Sequence, residues 1–184
     1  PDYFGKNFVL NDLTHEGGLT AIRIEGPINS VDQRLNRLSK ELDLLDQELS
    51  ILDNEQSNIF WSRTKNLEVF KSLKSNLLRI VVPISETLQV IQKFKNYEIK
   101  YFIDWGGSLI WASFDQLNTK ILNEIKDIVK KHQGYITLIK VEEDLKASAD
   151  IFTIDPIKYK ISEKIKRSFD PKRIFNPGKM YTGI

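Results

Sequence analysis

The stretch Ile99-Lys100-Tyr101-Phe102-Ile103-Asp104-Trp105-Gly106-Gly107-Ser108-Leu109-Ile110-Trp111-Ala112 decides how this chain folds. Two runs rich in β-branched and aromatic residues flank a turn centred on Asp104, Trp105, Gly106 and Gly107. That pattern predicts a hairpin from Tyr97 to Phe114.

Reading outward from the hairpin, Leu77-Leu78-Arg79-Ile80-Val81-Val82 is a strand stopped by Pro83, which has no N–H for a ladder. Ser85 and Glu86 open a helix with Leu88, Ile91 and Phe94 on its inner face. Downstream, Leu117, Ile121, Leu122, Ile125, Ile128 and Val129 trace an amphipathic helix closed by Gly134, and Tyr135 to Ile139 form a further strand.

Leu19 to Glu25 reads as a strand ended by Gly26-Pro27. Val31, Leu35, Leu38, Leu42, Leu45 and Leu49 then lie on one helical face, with Ser30 as N-cap. Short helical segments are expected between Asp53 and Ser75. A last helix carries Ile154, Ile157, Ile161 and Ile165 inward, with Pro156 in its first turn. The first eighteen residues read as an irregular lead-in. This order is α+β: a largely antiparallel sheet with helices on one face, related to the ferredoxin-like split βαβ plan. No linker or repeat divides it, so one domain is expected.

The 184 residues, 41% hydrophobic and 28% charged, are enough for one buried core and too apolar for a disordered chain. No apolar run approaches the roughly 20 residues a membrane span needs. Twenty-seven basic against 25 acidic residues leave a charge of +2, far short of a nucleic-acid-binding footprint. With no cysteine, disulfides, thiolate metal sites and thiol nucleophiles are excluded, which fits a reducing compartment. The chain starts at Pro1 and its one methionine is Met180, so it reads as part of a longer polypeptide.

His15 and His132 lie far apart and share no metal-binding spacing; His132 suits the C-terminal dipole of its helix. No metal site, and no Ser-His-Asp triad, is expected. Neither G-x-G-x-x-G nor a P-loop occurs. Gly106-Gly107 serves a turn needing positive φ or lets a ligand approach the backbone. The runs Glu142-Glu143-Asp144, Lys158-Tyr159-Lys160 and Lys164-Ile165-Lys166-Arg167 read as solvated faces. Arg79 sits mid-strand among apolar residues. Either it points to the solvated face of the sheet, or its guanidinium offers a bidentate fork to a small carboxylate. The C-terminal loop, Asp170-Pro171 through Asn176-Pro177-Gly178-Lys179, has a stiff non-helical path. It is a stapled tail, or it presents the Asn176 amide and the Lys179 ammonium to a polar ring edge or a phosphate.

FDPKRIFNPGKMY, residues 169–181, closely resembles the C-terminal signature of flavin-linked oxidases of the vanillyl-alcohol oxidase and D-lactate dehydrogenase superfamily. With LTAIRIEG (19–26), LLRIVVP (77–83) and FIDWGGSLIWA (102–112), the chain is similar to the FAD-binding E subunits of bacterial glycolate oxidase. The similarity runs from Leu19 to Tyr181. It implies a cap (substrate) domain at 19–168 and a tail at 169–184 that returns towards the flavin. Residues 1–18 would then lead in from an N-terminal FAD-binding domain.

By the same resemblance the cofactor is FAD, held mainly by that other domain, and a hydride passes to it from a 2-hydroxy acid. Asn176 and Lys179 would face the flavin domain, and Trp105, Gly106 and Gly107 would lie near the substrate side; on the reading of Arg79 as a carboxylate fork, its guanidinium would take the acid of that substrate. Other glycolate oxidase subunits are the expected partners, and the place is cytoplasmic, peripheral to the inner membrane through those subunits. Catalytic relatives carry a histidine-rich stretch where this chain has Gln133-Gly134-Tyr135-Ile136-Thr137. No catalytic residue is therefore assigned, and the chain alone is expected to be inactive. The alternative is a non-enzymatic ferredoxin-like module for protein interaction or small-ligand sensing.

Overall fold

A computed structural model describes residues 2–6, 11–12, 20–43, 51–71, 76–142, 144–145, 149–179, 181 and 184. His15, Leu45, Leu49, Glu143 and Met180, each part of an expectation above, lie outside them. The chain divides into two compact units, Pro1–Leu73 and Lys74–Ile184, at a point where the sequence shows no linker.

The first unit contains β1 (Asp2–Lys6), β2 (Asn11–Asp12), β3 (Thr20–Ile24), α1 (Ile28–Asp43), β4 (Ile51–Leu52) and α2 (Asn54–Lys65). Its three-stranded sheet has the order β3-β1-β4. The expected lead-in is therefore corrected: Asp2–Lys6 is the middle strand, paired antiparallel with β3 from Asp2 opposite Ile24 to Lys6 opposite Thr20. α1 begins two residues before the expected cap, because the Pro27 carbonyl already accepts the Ser30 and Val31 N–H groups at 2.9 and 3.0 Å. Ile24 and Val31 are buried, with Leu35, Leu38 and Leu42 packed against them. α2 starts with a capping box, in which Gln56 N–H donates to Asp53 Oδ1 at 2.8 Å and Asp53 N–H to Gln56 Oε1 at 3.2 Å.

The second unit builds β5 (Asn76–Val81), α3 (Thr87–Lys93), β6 (Ile99–Asp104), β7 (Leu109–Phe114), α4 (Thr119–Lys131), β8 (Tyr135–Lys140) and α5 (Pro156–Phe169). Its strands run β6-β7-β5-β8, all antiparallel. That order and the βαββαβ succession are the ferredoxin-like plan read from the sequence. Ile80 lies opposite Ile110 and Ile136, and Leu78 opposite Ala112 and Leu138; all six are buried on one face. α3 and α4 cover that face. Phe94, just after α3, meets Phe114 edge to face at 5.8 Å between centroids, while α4 buries Leu122, Ile125 and Val129. Each such aliphatic side chain contributes about 1.5–3 kcal/mol of burial free energy.

One expectation for α3 fails: Leu88 is 69% exposed, and Val90 takes the buried place beside Ile91 and Phe94. The expected closure of α4 at Gly134 has a different cause. Gln133, not Gly134, adopts the left-handed conformation, at φ 57°. Gln133 N–H donates to Lys130 O and Gly134 N–H to Val129 O, completing a Schellman motif. Position 134 needs glycine for room: a Cβ there would stand 2.4 Å from Val82 Cγ1 and 2.6 Å from Val81 O.

Residues 151–153 line the outer edge of β8. Leu138 N–H donates to Ile151 O, Thr153 N–H to Ile136 O, and Ile136 N–H to the Thr153 hydroxyl. α5 follows, with Pro156 in its first turn and Asp155 capping the N–H groups of Ile157 and Lys158 at 2.9 and 3.0 Å. Those bonds, with Lys158 nearby, hold the Asp155 carboxyl below its ordinary value. The expected inner face of α5 is turned outward. Tyr159, Ser162, Glu163 and Lys166 are its half-buried positions, while Ile157, Ile161 and Ile165 are exposed. The spacing of the isoleucines makes a stripe, but spacing does not say which side of the helix meets the domain.

Candidate functional site

The sheet face away from α3 and α4 carries a row across all four strands: Phe102, Trp111, Arg79 and Thr137 stand opposite one another in register. Phe102 and Trp111 lie 6.4 Å apart between ring centroids. Arg79 is half-buried, and its Cζ lies 4.8 Å from the centroid of the Trp105 ring. Among the described residues Arg79 forms no ion pair, and the π face of the indole is the electrostatic partner the structure gives it.

Trp105 reaches this place from a turn with three successive positive φ values, 55° at Trp105, 62° at Gly106 and 113° at Gly107. Trp105 N–H donates to Asp104 Oδ1 at 2.7 Å, and the Ser108 hydroxyl donates to Trp105 O at 3.1 Å. Glycine at 106 answers the backbone angle alone, with open space around it. At 107 a Cβ would also press to 3.3 Å from Ile84 Cγ2. The buried Thr87 hydroxyl donates to Gly107 O. Sequence reasoning missed Thr87, since nothing local links a residue opening a helix to a turn 20 positions later.

The structure thus brings Arg79 together with Trp105, and the turn through Gly106 and Gly107 carries the indole. Asn176 and Lys179 are exposed in the tail, and their side chains form no hydrogen bond or ion pair among the described residues. Asn176 has φ 45°, and its carbonyl accepts Lys179 N–H at 3.2 Å.

The tail is stapled at its root. The Asp170 carboxylate accepts Ile174 N–H and Phe175 N–H, each at 2.9 Å, and meets Lys166 Nζ at 2.8 Å. Lys166 also donates to Phe175 O. The Lys166 hydrogen bond, followed by the two N–H donors, holds the Asp170 carboxyl down to about 2. Lys166 is thus a paired, largely buried cation, which corrects its expected place on a solvated face. Further on, Tyr181 packs on Phe152 and Tyr159 at 6.1 and 6.2 Å between centroids.

His132, the C-cap of α4, sits at the helix end as expected, and its Nδ1 lies 2.6 Å from Glu86 Oε2. Between α4, β8 and α5 lies a cleft of about 1030 Å3 whose charged lining includes Lys126, Lys130, Asp150 and Lys158. Burial pulls the Lys126 amine below its ordinary value, opposed by Asp150. Among the described residues no group of three His, Cys, Asp or Glu could hold a metal ion, and no helix is long and apolar enough to cross a membrane.

A ferredoxin-like sheet followed by a stapled tail fits the class read from the C-terminal signature. Residues 152–180 match the family of FAD linked oxidases, C-terminal domain. Glycolate oxidase subunit GlcE of Escherichia coli (strain K12) is 27% identical over 128 residues, covering 68% of this chain and 32% of GlcE. The resemblance to the C-terminal domain of a glycolate oxidase subunit holds, and the chain spans about a third of the length of that relative. The groups of this chain that fit an FAD are the Asn176 amide and the Lys179 ammonium, both exposed and without a side-chain partner among the described residues. Those groups fit an edge of the cofactor, not its enclosure.

Proposed function

We propose that this chain is the cap, or substrate, domain of a flavin-dependent 2-hydroxy-acid oxidoreductase of the glycolate oxidase subunit type. The cap is placed at 19–168, with β1 built into its first sheet, and the tail returning towards the flavin at 169–184. Residues 1–18 lead in from a flavin domain outside this chain. The observation that carries the reading is Arg79: a half-buried guanidinium on the sheet face opposite Ile80, lying over Trp105 and without a carboxylate partner among the described residues.

Arg79 would receive the substrate carboxylate on its donor edge, with Trp105, Gly106 and Gly107 forming the neighbouring wall. FAD, when bound, accepts the hydride from the carbon bearing the hydroxyl. This chain's part is to orient the acid and exclude water. Asn176 and Lys179 would face the flavin domain, whose docking is supported by Ile157, Ile161, Ile165, Phe169, Ile174 and Phe175, all exposed in and just beyond α5. Other glycolate oxidase subunits are the further partners. Alone, the chain has no turnover. Its place is the cytoplasm, at the inner membrane only through those subunits.

The test is a pull-down of the 184-residue chain with the flavin domain of a glycolate oxidase E subunit, followed by an absorbance scan of each component. Stable docking, with flavin absorbance on the partner and none on this chain alone, is the expected result. Stoichiometric FAD uptake by the isolated chain would overturn the division of labour. Absence of docking would favour a non-enzymatic interaction module.

A further inference from the structure

We propose that Thr87 is a positioning residue for the Arg79 site: its hydroxyl fixes the turn that holds Trp105 over the guanidinium. The inference rests on the carboxylate-site reading for its functional consequence, but its structural part stands independently.

Trp105 is 56% exposed, so burial does little to place its indole. The backbone must therefore do so, yet Trp105, Gly106 and Gly107 all have positive φ, in a single 3-10 turn that departs from helical geometry at Gly106. The bonds from Asp104 and Ser108 travel with the turn and are exposed. They fix its shape, not its position. Thr87 belongs to a different element, is 3% exposed, and bonds the carbonyl of Gly107. Ile84, three residues earlier, meets the same glycine as an apolar stop. The turn is thus seated on Ile84 and Thr87; Val82 N–H holds its far end by donating to Ser108 O at 3.0 Å, and Thr87 is the side chain that resists the lifting of Gly107.

The consequence is selectivity for a small carboxylate. With Trp105 seated, one face of the Arg79 guanidinium is covered and its edge remains for a bidentate acid. With the turn lifted, the guanidinium gains water on that face and the acid loses a wall.

The experiment compares Thr87→Val, which keeps the shape without the hydroxyl, with Thr87→Ser, which keeps the hydroxyl, in the full 184-residue chain. Far-UV circular dichroism and melting temperature are recorded for each. Trp105 is followed by its indole N–H resonance and 15N relaxation, assigned with Trp105→Phe, and glycolate is titrated as the carboxylate probe. In Thr87→Val the Trp105 resonance is expected to shift and gain fast motion, while the glycolate Kd rises by about tenfold, the scale of one lost hydrogen bond. Thr87→Ser should stay within about twofold of the parent Kd, a change no larger than about 0.4 kcal/mol.

A folded Thr87→Val protein with an unchanged Trp105 signal overturns the proposal. A measurement without any variant bears on it equally: the Thr87 hydroxyl proton should exchange slowly with water, and fast exchange overturns it. If the parent chain binds no glycolate while Trp105 still loosens in Thr87→Val, the carboxylate reading fails and the role of Thr87 survives.

Discussion

Lys166 and Asp170 stand one helical turn apart at the end of α5, and the ammonium lies 2.8 Å from the carboxylate with both side chains largely withdrawn from water. The same carboxylate accepts two tail N–H groups, so one side chain ends a helix and fixes the direction of the chain beyond it.

The Asp170 carboxyl is held to about 2, mainly by Lys166, against roughly 3.9 in an unfolded chain. A depressed carboxylate contributes stability above its unfolded value and loses it as pH falls towards the folded one. Asp170 therefore adds an acid-labile increment that disappears between about pH 4 and pH 2. Melting temperatures over that range should fall more steeply for the parent chain than for Asp170→Asn. At neutral pH Asp170→Asn should be the less stable protein.

Gln133 and Gly134 predict opposite signs at adjacent positions. Gly134→Ala forces a methyl against Val82 and the Val81 carbonyl, closer than any Cβ contact allows. It should destabilise by about 1–3 kcal/mol. Gln133→Gly relieves a left-handed residue at the Schellman position and should stabilise by up to about 1 kcal/mol. Urea midpoints at constant m-value check both.

Ile157 is 71% and Phe169 84% exposed, so replacing either with glutamine removes little buried area. Each change should alter stability by no more than about 0.5 kcal/mol. The same variants should dock less well with the flavin domain in the pull-down. Undiminished docking would remove the stripe from that interface.

Arg79→Lys keeps the charge but gives up the planar fork and most of the stacking on Trp105. Glycolate binding in the assembled enzyme should weaken by about tenfold or more, with the melting temperature of the chain little changed. An unchanged KM and kcat would take Arg79 out of the site.

The ferredoxin-like sheet was legible because its strands have two distinct faces. Ile80, Ile110 and Ile136 alternate with Arg79, Trp111 and Thr137, and a period of two reports a strand directly. The strand at Asp2–Lys6 was not legible, because Tyr3, Phe4 and Gly5 do not alternate. Their pairing is set by β3 and β4 across long sequence gaps. In α5 the period was right and the side was wrong: Ile157, Ile161 and Ile165 mark one face, while Tyr159 and Lys166, tied to Tyr181 and Asp170, turn inward. Arg79 stood out as a charge in an apolar strand. The hydroxyl of Thr87 did not, since its partner is a backbone carbonyl that no side-chain pattern records. The Lys166–Asp170 spacing of four could have been read as a pair at the helix end.

The left-handed backbone of Trp105, at φ 55°, sets folding against recognition at one position. Glycine or asparagine would sit there with less strain, and the large side chain gains little by burial. A laboratory selection for heat tolerance alone should therefore drift away from tryptophan at 105 and give more robust proteins with a bare Arg79. A selection that also demands capture of a small acid should hold it, so the residue that such a screen retains at 105 reports what the screen was asking for.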